Sequence, residues 1–349
     1  MARARTLFTH AVEAPGGLKV QTIHAFAERL LQRFQLEAGV PPGFAILDEE
    51  TAARMKREAI DEILTRATRD RTAGLGEALT TAIAYAAEDH FDEVLSDALG
   101  YRTWLEALPR LALGDLSGLA AFEAMLKTHL GVRASASRSS IVKEQAAVLG
   151  AAEIRRVRSV LAEGTKTDAA AAATLAGALT AASESAKAEA LADFFLTSIG
   201  ESRKSLMTKA LREANADLGS LLDRARDRFF ALNRERLGAD AVAATLALSR
   251  LAEAVMQSYT EAKGRRAALD FDDLISKTAS LLRVSGSTQW VLYKLDGGLD
   301  HILVDESQDT SPDQWRIISA LAEEFFSGRG ARDEPSSLFA VGDEKQSIY

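Results

Sequence analysis

The spacing of apolar residues changes character twice along this chain. Near the beginning, Ile23, Phe26, Ala27, Leu30, Leu31 and Phe34 recur at helical intervals and make one stripe. Thr22, just ahead of the stripe, is a natural N-cap, while Gly39 and Pro41-Pro42 are expected to close the helix. Before it, a Gly16-Gly17 turn and a short strand Leu18–Gln21 are expected. From about Asp48 to Arg266 helical patterns follow one another, strand signals vanish, and glycines such as Gly74, Gly100, Gly131, Gly164 and Gly200 punctuate them. Asp48 caps a helix through Met55, Ile60, Ile63 and Leu64, and Asp168–Phe195 is alanine-rich with Leu175, Leu179, Leu191 and Phe194 as anchors. No fixed repeat emerges.

After Leu269 the pattern alternates again. Leu269–Leu282 reads as a helix with an acidic first turn of Asp270, Asp272 and Asp273, favoured by the helix dipole. His301–Val304 and Leu338–Val341 read as buried strands, joined through a helix Pro312–Phe326 that starts with a Ser311/Gln314 capping box. Two apolar strands joined through a helix predict a parallel βαβ unit. The expected fold class is α/β: a partial parallel-sheet domain formed by residues 1–47 and 267–349, interrupted by an all-helical insertion at 48–266, about 220 residues long.

Composition narrows the function. A chain of 349 residues with 47% hydrophobic and 26% charged side chains can bury a core, which argues against disorder. The net charge of −8 offers no global attraction for phosphate, so any nucleic-acid contact must be local. With no cysteine, disulfides, thiolate metal sites and thiol nucleophiles are excluded, and a cytoplasmic setting is expected. The five histidines lack the spacing of a helical metal site, and no apolar run suits a signal or a membrane span. The basic clusters Arg155/Arg156/Arg158, Arg203/Lys204/Lys209 and Arg224/Arg226/Arg228 are read as solvated helix faces with acidic neighbours.

Candidate chemistry gathers at two strand ends. In open α/β sheets ligands bind at the C-terminal strand edge, and HILVDESQDT delivers Asp305 and Glu306 there. A first carboxylate in that place can hold Mg²⁺ through its water shell, and a second can orient the water that attacks a γ-phosphate. The second strand runs into Gly342-Asp343, then Gln346, whose amide can read a phosphate oxygen, and Tyr349, whose ring can stack on a base.

With those residues in view, VDESQDTSPDQW (304–315) resembles the Walker B segment of UvrD/RecB-type superfamily 1 DNA helicases, and VGDEKQSIY (341–349) resembles their motif III. VQTIHAF (20–26) is similar to the family's TxHxF motif, and LDFDDLI (269–275) to the segment that re-enters the first RecA-like domain after a helical insertion. The helical stretches GVPPGFAILDEE and RKSLMTKAL are most similar to the AddA branch, a helicase–nuclease component of double-strand-break processing. The resemblance implies an ATP- and Mg²⁺-dependent motor stepping 3′ to 5′ on single-stranded DNA. Its implied partners also include double-stranded DNA and an AddB-type subunit, with no membrane. It implies that Asp305 binds Mg²⁺, Glu306 is the catalytic base, Gln346 couples the γ-phosphate to DNA, Thr22 and His24 contact the DNA backbone, and Tyr349 lies by a base.

One part of the pattern is missing. The sequence holds no G-x-x-x-x-G-K-[ST] loop, and Gly16-Gly17-Leu18-Lys19 lacks its leading glycine, spacing and Ser/Thr ligand. The chain is therefore expected to be a fragment that does not turn over ATP alone, with exposed edges in its α/β part. Two other readings stay open: a non-enzymatic helical DNA- or protein-docking module, and a P-loop ATPase of another family.

Overall fold

The computed structural model describes residues 20–72, 74–86, 90–283, 291, 294, 301–326 and 337–346. It is mostly helical with a few short strands, and divides into two units: residues 1–62 with 255–349, and residues 63–254.

The first unit starts with α1 (Ile23–Arg33), which buries Ala27, Leu30 and Leu31. The helix ends at Phe34, where the backbone leaves helical geometry, five residues short of Gly39. Gly39 instead takes the left-handed conformation (φ 61°) in the turn that follows, where glycine is not strained. Val20 and Gln21 form no strand, and Val20 is 88% exposed, with no strand beside it among the described residues; Leu18 and Lys19 lie outside the described residues. Next come β1 (Ala45–Ile46) and α2 (Glu49–Arg69), with the Asp48 carboxylate accepting a hydrogen bond from the Thr51 amide at 2.8 Å. That amide and the Thr51 hydroxyl hold the Asp48 pKa below the usual carboxylate value.

The chain returns to this unit along α13 (Ala216–Arg265), a 50-residue helix, and then forms β4 (Ala268–Leu269) and α14 (Phe271–Leu281). Strand β4 pairs in parallel with β1, Ala45 opposite Ala268 and Ile46 opposite Leu269, so segments about 220 positions apart share one ladder. Leu269 belongs to this strand and not to the helix after it, because Asp270 caps α14 and fixes its first residue. β5 (His301–Val304), α15 (Pro312–Phe326) and β6 (Ser337–Ala340) complete the described elements, with the Ser311 and Gln314 capping bonds both formed. β5 and β6 are parallel, Val304 opposite Ala340, as the predicted βαβ unit requires. They are not buried strands: Leu303 is 76% and Phe339 60% exposed, because one face of the pair has no layer packed on it among the described residues. The other face joins a core of Leu30, Leu31, Leu274, Ile275, Ile317 and Leu321, with Ile302 against it.

Among its described residues the second unit is helical apart from an isolated antiparallel bridge between Leu196 and Ser202 and a hairpin, β2 (Ala112–Leu113) with β3 (Leu116–Ser117), that helical periodicity does not reveal. Its helices include α3 (Leu75–Tyr85), α4 (Phe91–Gly100), α5 (Arg102–Ala107), α6 (Gly118–His129), α7 (Arg138–Ala146) and α8 (Ala151–Ala162). The alanine-rich stretch is three helices, α9 (Lys166–Thr174), α10 (Ala176–Thr180) and α11 (Glu184–Phe195). Folding back at Leu175 and near Ser183, which caps α11, puts Leu175, Leu191 and Phe194 into one core with Ile154, Leu161 and Phe229; a straight helix could not do so. After α11 and the short α12 (Lys209–Ala214), the chain enters α13.

Buried Asp168 ties this unit together. Its carboxylate accepts from the Thr165 amide and hydroxyl (3.0 and 2.8 Å) and from the Thr208 amide and hydroxyl (2.8 and 2.7 Å). Burial opposes its ionisation, yet these hydrogen bonds outweigh that and lower its pKa.

Candidate nucleotide and DNA site

The C-terminal ends of β5 and β6 meet at one edge. Beyond Val304 the backbone turns sharply: Glu306 sits in the left-handed region at φ 49°, ψ 45°, unusual for a residue with a side chain. A single 3-10 turn, Ser307–Asp309, follows. The Val304 carbonyl accepts from the Val341 amide at 2.9 Å, and the Val341 carbonyl from the Ser307 amide at 2.8 Å, which carries the pairing past the strand ends into both loops.

Side chains then connect the two loops in a relay. Gln308 Nε2 donates to Glu306 Oε2 at 2.6 Å, Gln308 Oε1 accepts from the Asp343 amide at 3.1 Å, and Gln346 Nε2 donates to Asp343 Oδ2 at 3.1 Å. Glu306 and Gln346, separated by 40 positions, are thus joined through Gln308 and Asp343. Gly342 permits this closeness: a Cβ there would lie 2.3 Å from Ser307 Oγ and 2.6 Å from Gln308 Oε1. Asp305 is exposed, with Oδ1 accepting the Glu306 amide at 3.0 Å.

This edge suits magnesium and a nucleotide in its donor set. Among the described residues no group of three or more His, Cys, Asp or Glu side chains forms a metal cage. Magnesium at phosphoryl-transfer sites keeps several waters and uses one or two carboxylates plus the phosphates, so an exposed strand-end carboxylate such as Asp305 fits that role.

The TIHAF segment is positioned by the same unit. Thr22 Oγ1 accepts from the Ala25 amide at 3.2 Å and caps α1. The His24 ring packs edge-on against Phe271, the first residue of α14, with centroids 5.6 Å apart. Helix α14 packs against both α1 and α15, so the core links the TIHAF helix to the βαβ unit. Tyr349 lies outside the described residues. The structure therefore brings Asp305, Glu306 and Gln346 to one edge and ties Thr22 and His24 into the same unit.

Sequence reading missed three contributors. Gln308 and Asp343 stand inside quoted motifs, but only the fold shows that they connect them. Lys263, near the end of α13, is 2% exposed; its ammonium pairs with Asp270 at 2.7 Å and with Asp273, and lies 4.4 Å from the Tyr259 ring. Tyr259 donates its hydroxyl to Asp270 at 2.8 Å. Asp270, the N-cap of α14, and Asp273 in its first turn are thus capped and ion-paired inside the protein, while Asp272 is exposed.

Comparison with known proteins agrees with the motifs. The model of the UvrD/REP helicase N-terminal domain matches residues 2–349. The A-subunit of the ATP-dependent helicase/nuclease from Lactiplantibacillus plantarum is 26% identical over 96% of this chain and 27% of its own length. Its namesake from Desulforudis audaxviator is 27% identical over 98% of this chain and 29% of its own. The RecB component of the RecBCD enzyme from Mycolicibacterium smegmatis is 36% identical over 29% of this chain and 8% of its own length. The chain spans under a third of the length of these relatives. With its motifs in order and the domain model matched from end to end, the chain belongs to the UvrD/REP helicase N-terminal domain family.

Proposed function

We propose that this chain is the first motor segment of an ATP-driven DNA helicase that acts in double-strand break repair and recombination and travels 3′ to 5′ on single-stranded DNA. The observation that carries the reading is the relay joining Glu306 to Gln346 across the ends of two parallel strands. Motors of this class need a hydrolytic carboxylate and a nucleotide sensor that move together, and a continuous hydrogen-bonded path supplies that link.

In this reading residues 1–47 and 267–349 form part of a RecA-like nucleotide domain and residues 48–266 its helical insertion. The parallel pairing of β1 with β4 supports it, since it brackets the inserted text. Asp305 would hold Mg²⁺, which would supply positive charge to offset that developing on the transferred phosphoryl group. Glu306 orients the attacking water and accepts its proton, and Gln346 reports the γ-phosphate state through Asp343 and Gln308. Thr22 and His24 face the DNA backbone and Tyr349 a base. The names of the relatives support DNA and ATP, and their designation as components of helicase/nuclease and RecBCD enzymes supports an AddB-type partner. Among the described residues no helix is long and apolar enough to cross a membrane, and the proposed setting is the cytoplasm.

The test is strand displacement by the protein expressed from its full coding sequence, with ATP and Mg²⁺, on duplexes carrying a 3′ or a 5′ single-stranded tail. Unwinding from the 3′ tail is expected. Unwinding only from the 5′ tail would overturn the polarity, and none from either tail would overturn the motor.

A further inference from the structure

The two loops at the strand edge, residues 305–311 and 341–346, carry the acidic residues Asp305, Glu306, Asp309, Asp343 and Glu344 against one basic residue, Lys345. Attraction between opposite charges at short range favours an ion pair in such company. None forms: Lys345 is exposed, and its ammonium pairs with no carboxylate among the described residues. Neutral donors of the loops satisfy the acids instead. Asp343 Oδ1 accepts from the Lys345 amide at 3.0 Å and Oδ2 from Gln346 Nε2 at 3.1 Å. Glu306 Oε2 accepts from Gln308 Nε2 at 2.6 Å, and Asp305 Oδ1 from the Glu306 amide at 3.0 Å.

The backbone of Lys345 is held while its charge is left over. It lies in a 3-10 turn, Glu344–Gln346, with the Gln346 amide donating to the Asp343 carbonyl at 3.0 Å, and the Asp343 amide donates to Gln308 Oε1 at 3.1 Å. A fixed backbone beside Gln346, bearing an unpaired ammonium on a flexible four-carbon stem, suits a group that arrives from outside. Charge makes that group an anion. A nucleotide polyphosphate reaching this edge meets the repulsion of its carboxylates; a divalent cation offsets part of it, and Lys345 is the basic side chain of the two loops that offsets more. A DNA phosphate offers the same chemistry, but Thr22 and His24, read above as the DNA contacts, belong to the start of α1 and not to this edge.

We propose that Lys345 binds the terminal phosphate of the nucleotide, next to Gln346. The proposal rests on the nucleotide-site reading and gives that site a phosphate-binding cation.

The test is a fluorescence titration of the protein from its full coding sequence, with Mg²⁺ and methylanthraniloyl-labelled ADP or imido-linked ATP analogue. Binding of labelled single-stranded dT20 over a salt series is measured alongside. Lys345→Met should weaken the triphosphate analogue about tenfold, as the loss of one charge-assisted contact does, and the diphosphate by less than about threefold. Lys345→Arg keeps the charge and should bind both within about threefold of the unaltered protein. The salt dependence of dT20 binding should stay the same in both variants. A loss below about threefold for the triphosphate in Lys345→Met, or equal losses for both nucleotides, would overturn the proposal. So would a loss confined to DNA, with a salt slope shallower by about 0.7, which would make Lys345 a backbone contact. An unaltered protein that binds neither nucleotide defeats the nucleotide reading itself, whereas one that binds both while Lys345→Met is unaffected defeats Lys345 alone.

Discussion

Gly342 has no room for a methyl group. Ser307 Oγ and Gln308 Oε1 are side-chain ends that can swing aside, and the Gln308 backbone nitrogen, 3.1 Å from the added Cβ, must give by a few tenths of an ångström, so Gly342→Ala should fold with a modest loss of stability but break the Glu306–Gln346 relay. In the full-length protein the expected outcome is ATP turnover that loses its DNA stimulation while the melting temperature moves by a few degrees at most. Thr22 caps α1. Thr22→Ala removes the bond to the Ala25 amide and should cost about 1 kcal/mol in urea unfolding, whereas Thr22→Ser keeps the cap. Asp168 gives a pH signature. Its folded pKa is lowered, so its contribution is complete above the unfolded carboxylate value of about 4 and fades as pH falls through the folded value. Asp168→Ala should cost about 2–4 kcal/mol at neutral pH, with the gap to the unaltered chain closing in acid. The placement of Asp305, Glu306 and Gln346 at the ends of two strands was legible because it is set by residues adjacent in sequence. Asp168 was not, because its partner Thr208 lies 40 positions away.

At the scale of elements, capped segments were the legible ones. Thr22, Asp48 and Ser311 each mark a helix start that the structure reproduces, because a cap is settled within about four residues. Of the basic clusters, Arg156 lies on a solvated face and pairs with Asp217, whereas Arg226 is half-buried, pairing with Asp223 and Asp227 and donating to the Arg203 and Lys204 carbonyls. Helix ends decided by tertiary packing were illegible, such as the breaks inside Asp168–Phe195 and the strands β1 and β4, each two residues long. The Lys263 cluster joins α13 to α14, and its two carboxylates are stable in the interior because an ammonium sits between them. Lys263→Met should cost about 3–5 kcal/mol in denaturant unfolding, since it leaves buried charge without that cation. Adding Asp273→Asn should recover part of the loss; a single variant as stable as the unaltered chain would show that the cluster contributes nothing.

For the whole molecule, the α/β class and the parallel βαβ unit follow from the alternation of apolar runs, while the exposure of Leu303 and Phe339 does not, since apolar runs say nothing about which layers cover them. The central claim is that hydrolysis and coupling share one strand edge, and DNA-stimulated ATP turnover tests it most directly. Measured on the protein from its full coding sequence, with and without single-stranded DNA, turnover should rise with DNA and fall by about a thousandfold or more in Glu306→Gln, with ATP binding retained. Turnover that persists in that variant, or that ignores DNA in the unaltered protein, would contradict the account.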